Sequence, residues 1–297
     1  MKRKVAQIGP ATLMISLPSK WVKKHAIKKG DELELTEEGN QINISTNQTS
    51  IVKGELNLQI DQRFLKLFLN RMYRAGYDEV KIIFNKKPNT KVLSEELKYL
   101  MGFEIVSMSD KSCVIKNVTV TNENEFDPLF NRLFLVVHSL LREGNEAIES
   151  DSLNDDNLIP IEDTINKLSN LCERILNKYG YSDKNKITLL LQQTELLEQI
   201  GDSFYRLYGT ILENKIKLDK SFLRLLHDIE IYFMEIYKLF NNFQQATLEK
   251  MYKTRKDLYT LLKTMLKEGK GKELLALSEL NVVFNLLRDL DVSIVGF

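Results

Sequence analysis

The chain has 297 residues, 43% of them apolar, which is enough for two or three domains that each bury a core. Its formal net charge is only +1, from 42 Lys and Arg against 41 Asp and Glu, so the molecule as a whole has no bias toward nucleic acid or membrane. Cys113 and Cys172 lie far apart in segments of different character and read as free thiols of a reducing compartment. His25, His138 and His227 have no partner at helical or finger spacing, which argues against a zinc site of those kinds. No apolar run approaches the roughly 20 residues that span a bilayer, and Gln7, Gly9 and Pro10 interrupt any signal-peptide core. The expectation is a cytoplasmic protein without membrane insertion.

Charge is distributed unevenly. Lys2, Arg3, Lys4, Lys20, Lys23, Lys24, Lys28 and Lys29 precede the first acidic residue, Asp31, which Glu32, Glu34, Glu37 and Glu38 follow. Within this stretch 5–8 and 12–17 read as short strands around Gly9-Pro10. Ser19 is expected to cap a short helix over 20–25, and 32–35 and 41–44 read as two more strands around Gly39-Asn40. So few short strands leave too little core for one chain, which favours an intertwined dimer. Trp21 is expected in that core rather than as a base-stacking platform.

From Ile51 to Val120 the pattern alternates: strand 55–58, helix 61–75, strand 79–84, helix 90–101, strands 103–108 and 113–118. Gly76 stands where a Schellman turn would stop the first helix. Beyond Phe126, apolar residues recur at three and four residues' spacing. Six helices fit, at 127–149, 160–179, 184–213, 219–243, 246–268 and 271–295, with 151–157 a polar loop. His138 reads as a packed or rim residue of the first. Leu197-Glu198-Gln199-Ile200-Gly201-Asp202 aligns with Phe284-Asn285-Leu286-Leu287-Arg288-Asp289 at an offset of 87 residues, which implies two three-helix halves. The fold class is therefore multidomain: a β-rich module at 1–48, an α/β connector at 51–120 and an all-α bundle at 126–297.

The run from Arg3 through Gln7-Ile8-Gly9-Pro10, Leu17-Pro18-Ser19-Lys20-Trp21-Val22 and Lys29-Gly30-Asp31 resembles the swapped-hairpin DNA-binding domains of the AbrB, MazE and SpoVT group. The resemblance implies a homodimer that presents basic residues to DNA, with Arg3, Lys4, Lys20, Lys23 and Lys24 as the contacts. Such lysines neutralise phosphates without reading bases. Residues 126–297 resemble PhoU, most clearly at Leu197 to Asp202. The connector, with Tyr73 to Asp78 and Leu100 to Glu104, is similar to the segment that joins these two modules in archaeal PhoU-like proteins.

PhoU proteins carry acids at i and i+4, a spacing that puts both carboxylates on one helix face. Carried over, the positions are Glu162, Asp163, Asn166, Glu198 and Asp202, where the resemblance implies a divalent or ferric metal in the first half of the bundle. In the second half Asn285, Arg288 and Lys253 stand where acids or small residues belong, so that site reads as lost. The competing reading of the first-half acids is a solvated or salt-bridged bundle face.

Two functional readings follow. In the first the chain is a DNA-binding regulator of phosphate uptake with the helical domain as sensor. In the second it is a cytosolic negative regulator that binds a phosphate transporter or its ATPase and uses the N-terminal module only to dimerise. An enzyme is not expected, because Gly9-Pro10 and Lys29-Gly30-Asp31 are turns and no nucleophile-base pair or nucleotide fingerprint is present.

Overall fold

The computed structural model describes residues 1–46, 51–58 and 64–294. The chain divides into two compact units, Met1–Ile51 and Val52–Phe297. In the first, β1 (Ala6–Ile8) and β2 (Thr12–Met14) form an antiparallel hairpin around Gly9, whose φ of +78° suits glycine in the turn. The helix α1 (Ser19–Lys24) follows. Ser19 is its first helical residue rather than its cap: Pro18 holds the cap position with extended backbone, and its carbonyl accepts from the Val22 amide at 3.0 Å. Asp31 closes the next turn by accepting from the Lys28 amide at 2.7 Å. β3 (Glu34–Glu38) and β4 (Gln41–Ser45) then pair through the two-residue loop Gly39-Asn40, with Gly39 at φ +58° as such a loop requires. β1 and β4 lie within one residue of their expected positions, whereas β2 ends three residues before its expected end and β3 ends three residues beyond its own.

The second unit starts with a four-stranded sheet in the order β5-β6-β8-β7, where β5 is Lys53–Leu58, β6 Glu79–Phe84, β7 Phe103–Met108 and β8 Ser112–Asn117. Only β5 and β6 run parallel, since the helix α2 (Leu65–Arg74) crosses between them. One sheet face is apolar at every second residue, with Val80, Ile82 and Phe84 on β6 and Cys113 and Ile115 on β8. Leu65, Leu69 and Tyr73 of α2, four residues apart, cover it together with Leu93 of α3 (Thr90–Leu97). The Schellman turn is present: the Gly76 amide donates to the Tyr73 carbonyl at 3.0 Å and the Tyr77 amide to that of Met72 at 3.1 Å. The first residues expected in α2, 61–63, lie outside the described residues. α3 ends four residues short of expectation, because a turn at Tyr99 to Gly102 (φ +83°) drops Leu100 into the core, and the Tyr73 hydroxyl donates to the Met101 carbonyl at 2.8 Å.

Six helices complete this unit: α4 (Phe126–Glu149), α5 (Asp155–Tyr179), α6 (Ile187–Asn214), α7 (Lys220–Asn241), α8 (Gln245–Glu268) and α9 (Glu273–Ile294). α5 begins inside the expected polar loop. Asn154 caps it by accepting from the Asn157 amide at 3.3 Å, Asp155 and Asp156 suit its positive N-terminal end, and Pro160 sits inside the helix rather than at its start. α6 and α9 pack along their lengths at the centre of the bundle, and they carry the repeated motif. Its apolar positions Leu197, Ile200, Phe284 and Leu287 are all buried. α4 and α7 join the two halves through rings: Phe130 lies 5.1 Å from Phe240 and Phe134 5.8 Å from Phe233. His138 is a rim residue, its Nε2 3.2 Å from Glu230 Oε1. No helix among the described residues is long and apolar enough to cross a membrane.

The α/β layer is fixed to the bundle through Arg174 of α5, which is 1% exposed. Its guanidinium donates to the carbonyls of Tyr73 and Tyr77 at 2.9 and 2.7 Å and to Asp78 Oδ1 at 2.8 Å, and Lys178 also pairs with Asp78. Both cysteines are free and buried. Burial pushes the Cys113 thiol up to about 11 and the Cys172 thiol higher still.

Two stability outcomes follow from this packing. Arg174→Met removes the donor to the Tyr77 carbonyl and leaves the Tyr73 carbonyl with only the Gly76 amide and Asp78 with only Lys178 and the Val52 amide, so urea unfolding of the full chain should lose on the order of 3–5 kcal/mol. A loss below about 1 kcal/mol would show that the latch is dispensable. Gly144→Ala places a Cβ 2.2 Å from the ring of Tyr208, whose hydroxyl is held by the Leu141 carbonyl and Asn145 Oδ1. Overpacking there should cost about 1–3 kcal/mol, read as a lower Tm.

Candidate nucleic-acid interface and carboxylate cluster

No residue of the first unit is buried among those described. Its apolar residues stand in solvent instead: Leu13 is 71% exposed, Ile42 67% and Leu35 64%, with Val5, Ile8 and Ile15 all above half. Trp21 is half-buried, 5.2 Å from the His25 ring, and nothing encloses it. A chain that leaves every apolar residue of a folded segment in contact with water has half a core.

The basic residues occupy this same unit. Arg3 and Lys4 lead into β1, Lys20 lies in the first turn of α1, and Lys23 and Lys24 occupy its last turn, where the negative end of the helix favours cations. All five are exposed, and none has a carboxylate partner among the described residues. Of the acidic residues that follow, Asp31 closes the turn after α1, and Glu34, Glu37 and Glu38 lie on β3. Free, flexible cations without counter-charges suit a phosphate backbone.

In the first half of the bundle, Glu162 and Asn166 of α5 face Glu198 and Asp202 of α6 across a cavity of about 130 Å³ that Lys66, Arg74 and Tyr99 close from the α/β layer. Gly201 allows the two helices this approach, since a Cβ there would sit 2.9 Å from Ile165 Cδ1. The cavity shares Lys66, Asn70 and Arg74 with a wider cleft of about 920 Å³ that also touches Glu173 and Glu195. Asp163 is not part of the cluster: it turns outward to Lys98, 3.1 Å away. The Asn166 amide donates to Glu162 Oε1 at 2.5 Å, so that amide is already engaged within α5.

The residues of the α/β layer in this cluster carry no signal in a linear reading, because their partners lie far along the chain. Arg74 meets Asn170 across 96 positions and Lys98 meets Asp163 across 65. The available signal is the polar stripe Asn170, Arg174, Asn177 and Lys178 at helical spacing along α5. In the second half Glu249, Lys253, Arg288 and Asp289 are all exposed or half-exposed, and Asp289 is taken by its neighbour Arg288 at 2.9 Å. No convergent acidic site exists there among the described residues.

Every carboxyl of the first cluster is harder to ionise than usual. Burial, with Asp202 beside it, pushes Glu198 up to about 7 against the opposing charge of Arg74. Burial likewise raises Glu162, Glu173 and Asp202. A carboxyl raised in this way keeps its proton in the folded state at pH values where the unfolded chain has lost it. Its contribution to stability is therefore fully present below pH 4.5, the ordinary value of Glu198, and is lost as pH rises through about 7. Thermal unfolding of the parent and of Glu198→Gln between pH 5 and 8 checks this: Tm should drop more steeply with pH in the parent, and parallel curves would contradict it.

Residues 7–48 match the family described as Antidote-toxin recognition MazE, bacterial antitoxin. No curated protein and no solved structure matches the chain. The N-terminal region is thus a MazE/AbrB-like module, followed by an all-helical C-terminal region. The likeness supports a DNA-binding regulatory role for a chain whose own first unit carries the unpaired cations.

Proposed function

We propose that this protein is a dimeric DNA-binding transcriptional regulator whose helical region is a PhoU-like sensor of phosphate status. The observation that carries the first part is the N-terminal unit itself, with no buried residue among those described, an exposed apolar set and unpaired cations on one short segment. A second copy of the module supplies the missing half of the core, because interleaved hairpins bury Leu13, Leu35 and Ile42 that one chain leaves in water. Duplex DNA supplies the counter-charge. The second part is supported by six helices in two halves and by the repeated motif, whose apolar positions are buried on α6 and α9. The link to phosphate uptake rests on the resemblance of that region to PhoU alone.

Full-length protein should run as a dimer in sedimentation, and Leu13→Glu with Ile42→Glu should give monomers with the helical content of the bundle retained. A wild-type monomer at micromolar concentration would refute the swapped-hairpin arrangement. Lys23→Glu with Lys24→Glu should weaken binding to duplexes of any sequence, and should lower the slope of log K against log salt by about 0.9 for each phosphate that is no longer neutralised. An unchanged slope would leave the module a dimerisation device. Sequencing DNA that co-precipitates from phosphate-rich and phosphate-poor cells tests the physiological link: occupancy that differs between the two supports it, and identical occupancy removes it.

A further inference from the structure

The first-half cluster already contains a cation. Arg74 is the last residue of α2, and its backbone is held against α5 by Asn177 Nδ2, which donates to the Arg74 carbonyl at 2.9 Å. The guanidinium then reaches between α5 and α6. Nε donates to Asn170 Oδ1 at 2.6 Å, Nη1 lies 2.9 Å from Glu173 Oε1, and Nη2 lies 3.8 Å from Glu198 Oε1. Asn170 is itself 2% exposed, and its own amide donates to the Tyr99 carbonyl at 3.1 Å, so the acceptor that orients Arg74 is locked from the layer's other side. One turn and two turns back along α2, Asn70 and Lys66 line the same cavity.

This arrangement does not fit a metal ion. A hard cation needs several anionic oxygens converging at about 2.0–2.6 Å. Here Asp163 is on Lys98, Asn166 is bonded within its own helix to Glu162, and Glu198 faces a guanidinium that cannot be deprotonated. Among the described residues no three His, Cys, Asp or Glu side chains are placed to hold one. An ion at this cavity would share it with the positive charges of Arg74 and Lys66.

We propose that Arg74 is the built-in cation of the carboxylate cluster: it takes the charge-neutralising place of a metal, so that the bundle's acids serve as the dock for the α/β layer and bind no metal. A guanidinium suits this because its planar fork serves Glu173, Asn170 and Glu198 at once, in directions a spherical ion does not impose. This role is independent of DNA binding, and it replaces the metal expected in this half of the bundle.

The test uses the full-length protein, with manganese, zinc and ferrous iron as probes, read by calorimetry, elemental analysis and Tm. Wild type should show no saturable uptake up to millimolar metal and no change of Tm with chelator. Arg74→Lys, which keeps the charge, should behave the same way. Arg74→Gln should have a lower Tm that divalent metal partly restores, with at least tenfold tighter uptake than wild type. Adding Glu198→Gln and Asp202→Asn should abolish that rescue. Saturable uptake by wild type that Glu198→Gln with Asp202→Asn removes would overturn the proposal, and it decides the matter even if Arg74→Gln does not fold. A folded Arg74→Gln protein whose Tm is unaffected by metal would overturn it as well.

Discussion

A guanidinium with almost no contact with solvent is costly to bury, and Arg174 is tolerated because both of its Nη atoms donate to acceptors of the α/β layer. Its acceptors are the carbonyls of Tyr73 and Tyr77, on either side of the turn at Gly76 that stops α2, and the carboxylate that follows them at Asp78. The end of one helix and the side of another are thereby made a single object. Desolvation makes such a contact close to all-or-none, since either partner left alone in the interior is worse than both absent. The strand β5 is tied into the same node, because Asp78 also accepts from the Val52 amide at 2.9 Å. Everything that Arg74 does one residue past Tyr73 depends on this anchoring, which sets where the tip of α2 meets the bundle.

The cluster around Arg74 shows how a polar seam between two layers is assembled. Glu162, Glu173, Glu198 and Asp202 lose hydration between α5 and α6, which is the main reason that they hold protons more tightly than usual, and neighbouring acids add to this at Glu162, Glu173 and Glu198. The positive groups that relieve them arrive from a different layer of the same unit. Electrostatic strain in one layer thus becomes affinity for the next, and the α/β layer gains a specific docking register from charges that destabilise the bundle alone.

Periodicity was enough for most of the architecture. The six bundle helices, the strands at 79–84 and 103–108, and the Schellman stop at Gly76 follow from spacing and from glycine chemistry. The misses have local causes. Pro160 has the chemistry of a helix start, although Asn154 is the true cap and Asp155 and Asp156 form the dipole-matched first turn. The end of α3 is set by the burial of Leu100, a tertiary demand that outweighs helix propensity. At the cluster, Glu162, Glu198 and Asp202 were legible because one helix face shows as an i, i+4 pattern. Asp163 is adjacent in sequence but points to a different neighbour. Arg74 and Lys98 were invisible for the reason that tertiary partners always are, since no window of the chain contains both members of either pair.

Cys113 and Cys172 lie one in each layer, Cys113 on the buried face of the sheet in β8 and Cys172 inside α5 two residues from Arg174. A thiol that is sealed from water and reluctant to ionise reacts only when its surroundings part, so the rate at which each sulfur is captured reports how often that part of the molecule breathes. The protein therefore carries two internal clocks. If the layers open as one body, both sulfurs are captured in step. If the sheet parts before the helices do, Cys113 runs ahead, and the interval between them measures how firmly the seam holds.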